Sequence, residues 1–311
     1  MGPAHVPGKD TRARLYRDRA HAGHDPRHLR RLSPAKDIAP PMNRIAFTTI
    51  TAGGSLAEKA RAMRAAGFTA TEIWARDLFE HLEGPEAALG CLEDAGLAVT
   101  ALQAIRNVEG CPPGKRRLKF DIAERMMDLA CLAGTPMITL AANLDPQASG
   151  TAANLVDDLG RLAELAARRG LRIAYEPIAW APFVNTWRQG LALVEQVGHD
   201  ALGLQLDAFH AFVRGLPIDL AAIPPQRLFL VEVSDLVPSG LSAREISRGH
   251  RLFPGEGSAP VRAFAQDLRR HGYAGDVVVE VFNTEYLAQD PASVIARAWR
   301  SMQPLFGPTF S

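Results

Sequence analysis

The stretch LRIAYEPIAWAPFVNTWRQGLALVEQVGHDALGLQLDAFH, residues 171–210, holds one complete unit of the fold. It opens on an apolar run, 171–176, that closes on Glu176. Residues 186–197 then follow helical periodicity and stop at Gly198. A second apolar run, 202–207, closes on Asp207. Continuous apolar runs of this length, rather than alternating ones, are how strands buried on both faces read. A glycine just past the last periodic residue is a common helix stop. Strand, helix and strand in that order make a parallel unit.

Working outward, the same alternation begins at Arg44 and does not stop. Strands are predicted at 44–50, 69–74, 98–105, 136–142, 171–176, 202–207, 227–233 and 276–282. Helices are predicted at 55–66, 84–95, 119–133, 151–169, 186–197, 218–222, 259–271 and 290–303, with Gly67, Gly134, Gly170, Gly198 and Gly272 as stops. Eight strands each followed by a helix, over about 260 residues, predict an α/β chain folded as one (β/α)8 TIM barrel spanning residues 43–311. A doubly wound open sheet is the competing architecture. Against it, TAGGSL at 51–56 lacks the GxGxxG spacing expected after a first strand.

Four of the predicted strands end in acid: Glu176 in LRIAYEP, Asp207 in ALGLQLDAFH, Glu232 in RLFLVEVSD and Glu280 in DVVVEVF. On consecutive strands of a closed sheet these carboxylates converge on one point. Uncompensated buried carboxylates are very costly, so the set demands a cation. Hard oxygen donors favour Mg²⁺ or Mn²⁺ over a thiolate-seeking ion. For any one acid alone, an arginine across the mouth is the competing partner.

Barrel chemistry sits at the C-terminal ends of the strands, which gathers further candidates. His210, three residues past Asp207, has the intrinsic pKa of a general base, and an exposed loop histidine is its plain alternative. Glu72, late in the second strand, joins it as a catalytic candidate, and His250 is a weaker one. Arg106 directly follows the third strand and Arg251 precedes FPGEG; arginines there suggest a small anionic substrate. Arg116, Arg117 and Lys119 read better as a solvated helix start. Trp180 and Phe183 are candidates for an apolar wall over the site, while helix packing explains Trp187 equally well.

The bulk numbers narrow the classes. The chain has 311 residues, 47% hydrophobic and 22% charged, with a net charge of +1. Residues 1–42 carry nine Lys/Arg against four Asp, a surplus of +5, so the rest carries −4. A mildly acidic body is a poor nucleic-acid binder. Residues 1–42 have no periodicity and are expected to be a disordered basic leader, with Met42 the expected functional start. Cys91, Cys111 and Cys131 form no CxxC pair and are odd in number, which argues against a disulfide framework and for a reducing, cytoplasmic setting. No apolar stretch is long enough to span a bilayer. Oligomeric state is left open, a homo-oligomer included.

Several stretches together resemble one family: GFTATEIWARDL, QAIRNVEG, YEPIAWAPFVNTWRQ, LGLQLDAFH, RLFLVEVSD, HRLFPGEG and VVVEVFN. They look like the xylose isomerase-like barrels of the sugar-phosphate isomerases and epimerases, and within these like the bacterial 3-dehydroshikimate dehydratase group. The resemblance covers nearly all of residues 43–305. It implies a divalent ion (Mg²⁺, Mn²⁺ or Co²⁺) held by Glu176, Asp207, Glu232 and Glu280, a catalytic imidazole at His210, and anion-binding arginines at Arg106 and Arg251. It implies a lyase that removes water from 3-dehydroshikimate to give protocatechuate through a metal-stabilised enolate. A sugar or inositol-type isomerase, epimerase or dehydratase shares the first step, proton abstraction beside a polarised carbonyl. The chain departs from the group at Glu232, where Gln is expected. Some members carry a second, dioxygenase-like domain, for which 311 residues leave no room.

Overall fold

The computed structural model describes residues 44–307; the expected leader, 1–42, lies outside them. Eight parallel strands close into a barrel in sequence order: β1 Ile45–Thr48, β2 Ala70–Trp74, β3 Ala98–Arg106, β4 Met137–Ala141, β5 Arg172–Glu176, β6 Leu202–Asp207, β7 Leu228–Val233 and β8 Val277–Val279. β1 pairs with both β2 and β8, so no edge remains. The open-sheet alternative is thereby excluded.

Eleven α-helices lie on the described residues: α1 Leu56–Ala66, α2 Ala75–Phe79, α3 Pro85–Asp94, α4 Pro113–Leu132, α5 Ala152–Ala167, α6 Trp187–Val197, α7 Ala208–Phe212, α8 Ala243–Gly249, α9 Val261–His271, α10 Thr284–Leu287 and α11 Pro291–Phe306. The five glycines expected to stop helices all have positive φ, Gly198 at 66° and Gly272 at 74° among them, a region only glycine enters freely. Gly190 has a different reason. A Cβ there would sit 2.3 Å from Pro177, so its absence lets α6 press against the chain leaving β5.

Three expectations change. The helix predicted at 218–222 is only a 3₁₀ turn, Leu220–Ala222, held between Pro217 and the Pro224–Pro225 pair, since proline neither donates to nor continues a helix. The connection after β6 instead carries α7, capped by Asp207 itself, whose side chain accepts from Phe209 N at 3.0 Å. The helix predicted at 119–133 starts six residues earlier, at Pro113, a residue suited to a first helical turn. The last strand ends at Val279, so Glu280 stands one residue past it.

The main core lies between barrel and helices. A second apolar cluster, containing Ala46, Ala70, Ala101, Met137, Ala174, Leu230 and Val278, is separate from it. These seven come one from each of seven strands, with Phe229 of β7 as an eighth member, and two positions beyond the seven come Thr48, Glu72, Gln103, Thr139, Glu176, Glu232 and Glu280, all buried. Strand side chains alternate with period two, so the polar set faces the barrel interior one layer above the apolar set. The fold therefore stacks a dry layer beneath a layer rich in acid.

Candidate metal centre

Glu176, Asp207, Glu232 and Glu280 meet. One carboxylate oxygen from each lies within 4.8 Å of those of the others, and all four residues are buried. Register explains part of this: Asp207 and Glu232 are direct partners across β6 and β7. A chain of partners compensates some of the charge. Arg251, 2% exposed, donates from Nη1 to Asp207 Oδ2 at 2.8 Å and to Glu280 Oε2 at 3.1 Å, and from Nη2 to Ser247 Oγ at 3.0 Å. Its guanidinium lies over the Phe209 ring, 4.1 Å from the centroid. Gln103 donates to the other oxygen of Glu280.

Glu232 has no such help. Neither of its oxygens has a hydrogen-bond partner, and the same holds for both oxygens of Glu72. Glu72 belongs to the buried layer, in register with Thr48, and its carboxyl faces Glu232. Two carboxylates cannot donate to one another, so a hydrogen bond between them needs a shared proton. Burial, then the neighbouring Glu280 and Glu176, pushes Glu72 up to about 8. Burial, then Glu280 and Glu72, raises Glu232 well above the ordinary carboxylate range. Glu280 is pushed up to about 7, by burial first; Arg251 opposes the rise, while Asp207 and Glu176 add to it. The donor set fits a hard divalent cation on two counts: it is all oxygen, and no arginine, histidine or amide reaches the buried Glu232 oxygens.

His210 stands beside this set. Its Nε2 lies 3.2 Å from Glu176 Oε1 and 3.4 Å from Asp207 Oδ2, and its Nδ1 accepts from Ala179 N at 3.3 Å. Accepting at Nδ1 puts the proton of neutral imidazole on Nε2, against Glu176. Trp180 packs edge-on to His210 with ring centroids 5.3 Å apart.

A cleft opens over these residues, lined by Gln103, Arg106, Trp180, His210, Arg248 and Arg251 among others. Of the residues singled out in the sequence, Glu176, Glu280, Arg106, Trp180, His210 and Arg251 reach it, and Asp207 and Glu232 join them through the acid cluster. Glu72 lies beneath, fully buried. Arg251 is the residue whose setting differs most from expectation, because its Nη1 is engaged by two of the four acids. Trp187 and Arg116 serve the scaffold. Trp187 Nε1 donates to Pro217 O at 3.0 Å, and Arg116 pairs with Asp157 and Asp158. Arg117 is exposed beside Asp121, Phe183 packs over Gly150, and His250 is exposed, outside the cleft lining. Gln103, Ser247 and Arg248 were not read from the sequence. Gln103 is foreshadowed only by its place two residues after Ala101, and nothing in ISRGHR separates Arg248 from its neighbours.

Acids, an imidazole and arginines thus gather at the C-terminal rim of a closed eight-stranded barrel, the end at which enzymes of this architecture carry their active sites. The chain belongs to the xylose isomerase-like TIM barrel family, whose model matches residues 60–304. A 3-dehydroshikimate dehydratase of Pseudomonas putida is 36% identical over 257 residues, 82% of this chain and 40% of that protein. The chain thus spans about two fifths of that relative's length. An inosose isomerase of Halalkalibacterium halodurans is 30% identical over 52% of this chain and 56% of its own length. A solved xylose isomerase-like TIM barrel/4-hydroxyphenylpyruvate dioxygenase fusion protein superposes with a TM-score of 0.82 at 35% identity, covering 85% of this chain and 42% of that one.

Proposed function

We propose that this chain is a divalent-metal-dependent lyase that dehydrates 3-dehydroshikimate to protocatechuate in a reducing cytoplasm. The observation that carries the metal is the meeting of four buried carboxyls, Glu176, Asp207, Glu232 and Glu280, with one oxygen of each within 4.8 Å of the others. The substrate rests on the similarity to the Pseudomonas putida dehydratase over 82% of the chain.

Glu176, Asp207, Glu232 and Glu280 would hold Mg²⁺, Mn²⁺ or Co²⁺, and the ion would supply Lewis acidity toward a carbonyl. The remaining work falls to the chain. His210 takes the proton from the carbon beside the ketone. Taking it on Nε2 requires the other tautomer, in which the Ala179 contact is given up; a single neutral hydrogen bond of this kind is worth on the order of 1 kcal/mol. The hydroxyl then leaves as water, carrying a proton from the rim, and loss of one water from the ring ketone leads to the aromatic product. Trp180 walls the ring side of the cleft and Arg106 faces the anionic end.

The same residues suit an isomerase or epimerase, which would return the proton to carbon instead of expelling hydroxide. The inosose isomerase relative favours that second reading. The test is to strip the protein of metal and restore Mg²⁺, Mn²⁺ or Co²⁺ in turn with 3-dehydroshikimate, following protocatechuate absorbance. Product that depends on added ion supports the lyase. No product with any ion, with turnover of an inosose or ketose, transfers the assignment to the isomerase.

A further inference from the structure

Three arginines surround one lip of the cleft: Arg106 at the end of β3, Arg248 in α8 and Arg251 just beyond it. Only Arg251 is neutralised, by Asp207 and Glu280. Arg106 and Arg248 are exposed and have no acid within ion-pair distance among the described residues. The like charges feel one another. Partial burial, then Arg106 and Arg251, lowers the affinity of Arg248 for its own proton. Glu280 offsets only part of this repulsion, and an anion between the two arginines relieves the rest.

We infer that Arg248, together with Arg106, seats a carboxylate of the substrate, and that Arg248 is the residue by which this site prefers carboxylate-bearing ring ketones over neutral ones. A guanidinium can grip a carboxylate through two parallel N–H donors. Arg251 already has its charge answered, its Nη1 held by Asp207 and Glu280 and its Nη2 by Ser247, so it has less to offer a new anion than Arg106 or Arg248. A singly charged carboxylate suits the place better than a phosphate dianion, because the five buried carboxyls in and beneath the cleft repel the larger charge more. Trp180 offers a flat wall for the ring that bears the group. Neutral inososes and ketoses can take ordinary hydrogen bonds from the arginines but not the stronger charge-assisted pair. The inference extends the lyase reading by giving its substrate class a seat, but its measurement does not need turnover.

The test is calorimetry on the full chain loaded with Mn²⁺, comparing 3,4-dihydroxybenzoate with its neutral amide. Wild type is expected to favour the acid by about tenfold or more, the scale of one charge-assisted hydrogen-bond pair. Arg248→Gln should lose that preference while binding the amide within about twofold of wild type, and Arg248→Lys should recover part of it. Unchanged acid binding in Arg248→Gln overturns the inference. So does an equal loss for acid and amide, which a purely structural role would give, and so does a wild type without any preference for the acid. If the preference and its dependence on Arg248 hold while wild type fails to dehydrate 3-dehydroshikimate, the lyase assignment falls and the carboxylate seat stands.

Discussion

The two ends of this barrel treat buried acid differently. At the N-terminal end Asp276, just before β8, receives Arg44 Nε at 2.9 Å and Nη2 at 2.7 Å, with Thr100 Oγ1 at 2.7 Å. Arg44 and Asp276 immediately precede the paired residues Ile45 and Val277, so the sheet register itself brings them together. At the C-terminal end the four clustered acids and Glu72 beneath them share one arginine, one imidazole and one glutamine. A carboxylate at a strand end is therefore structural where its oxygens have donors. It is a demand for something else where they do not.

This contrast can be broken most sharply at His210. His210→Asn should lower turnover by about 10²–10⁴-fold, the range for a lost acid–base group, while ion affinity by calorimetry stays within a few-fold. Activity near wild type would remove the imidazole from the chemistry. At the other end, Asp276→Ala should cost about 3 kcal/mol of stability in urea unfolding, because it strands a half-buried arginine. It should leave kcat of the folded protein alone. A fall in kcat with little loss of stability would erase the division between the two ends.

The smallest effect is on the metal-free protein. Glu72 at about 8 and Glu280 at about 7 hold their protons more tightly folded than at the ordinary value of 4.5. The folded state then binds more protons than the unfolded one between those values, so its stability must fall as pH rises from about 4.5 toward 8. Melting temperatures in chelator at pH 5, 6, 7 and 8 should decline, and Glu232→Gln should flatten the decline by removing one buried charge. A melting temperature that climbs across that range would mean that donors compensate these acids in the metal-free protein.

The fold was legible because each of its signals is local. Apolar runs, helical spacing and the glycine stops can be seen within a dozen residues, and the expected strands overlay the observed ones closely. The failures were local too: prolines 217, 224 and 225 truncate the helix expected at 218–222, and α7 and α8 are too short to show a period. The candidate site was legible in part. Acids closing successive strands predicted a meeting place, which the register of Asp207 with Glu232 provides. The exposed Arg248 carried no signal, since an arginine in a short helix is ordinarily solvated. Arg251 was expected at the substrate; it lines the cleft, and the sequence did not foretell that Asp207 and Glu280 hold its Nη1.

The sequence by itself determined the alternation of strand and helix, and that Glu176, Asp207, Glu232 and Glu280 close four successive apolar runs. Only the tertiary structure decided which charges answer one another. Arg251 reaches Asp207 across 44 positions of chain and Gln103 reaches Glu280 across 177. Closure of the barrel sets those distances, and because Coulomb forces and hydrogen bonds depend on separation in space, no local pattern of residues records them.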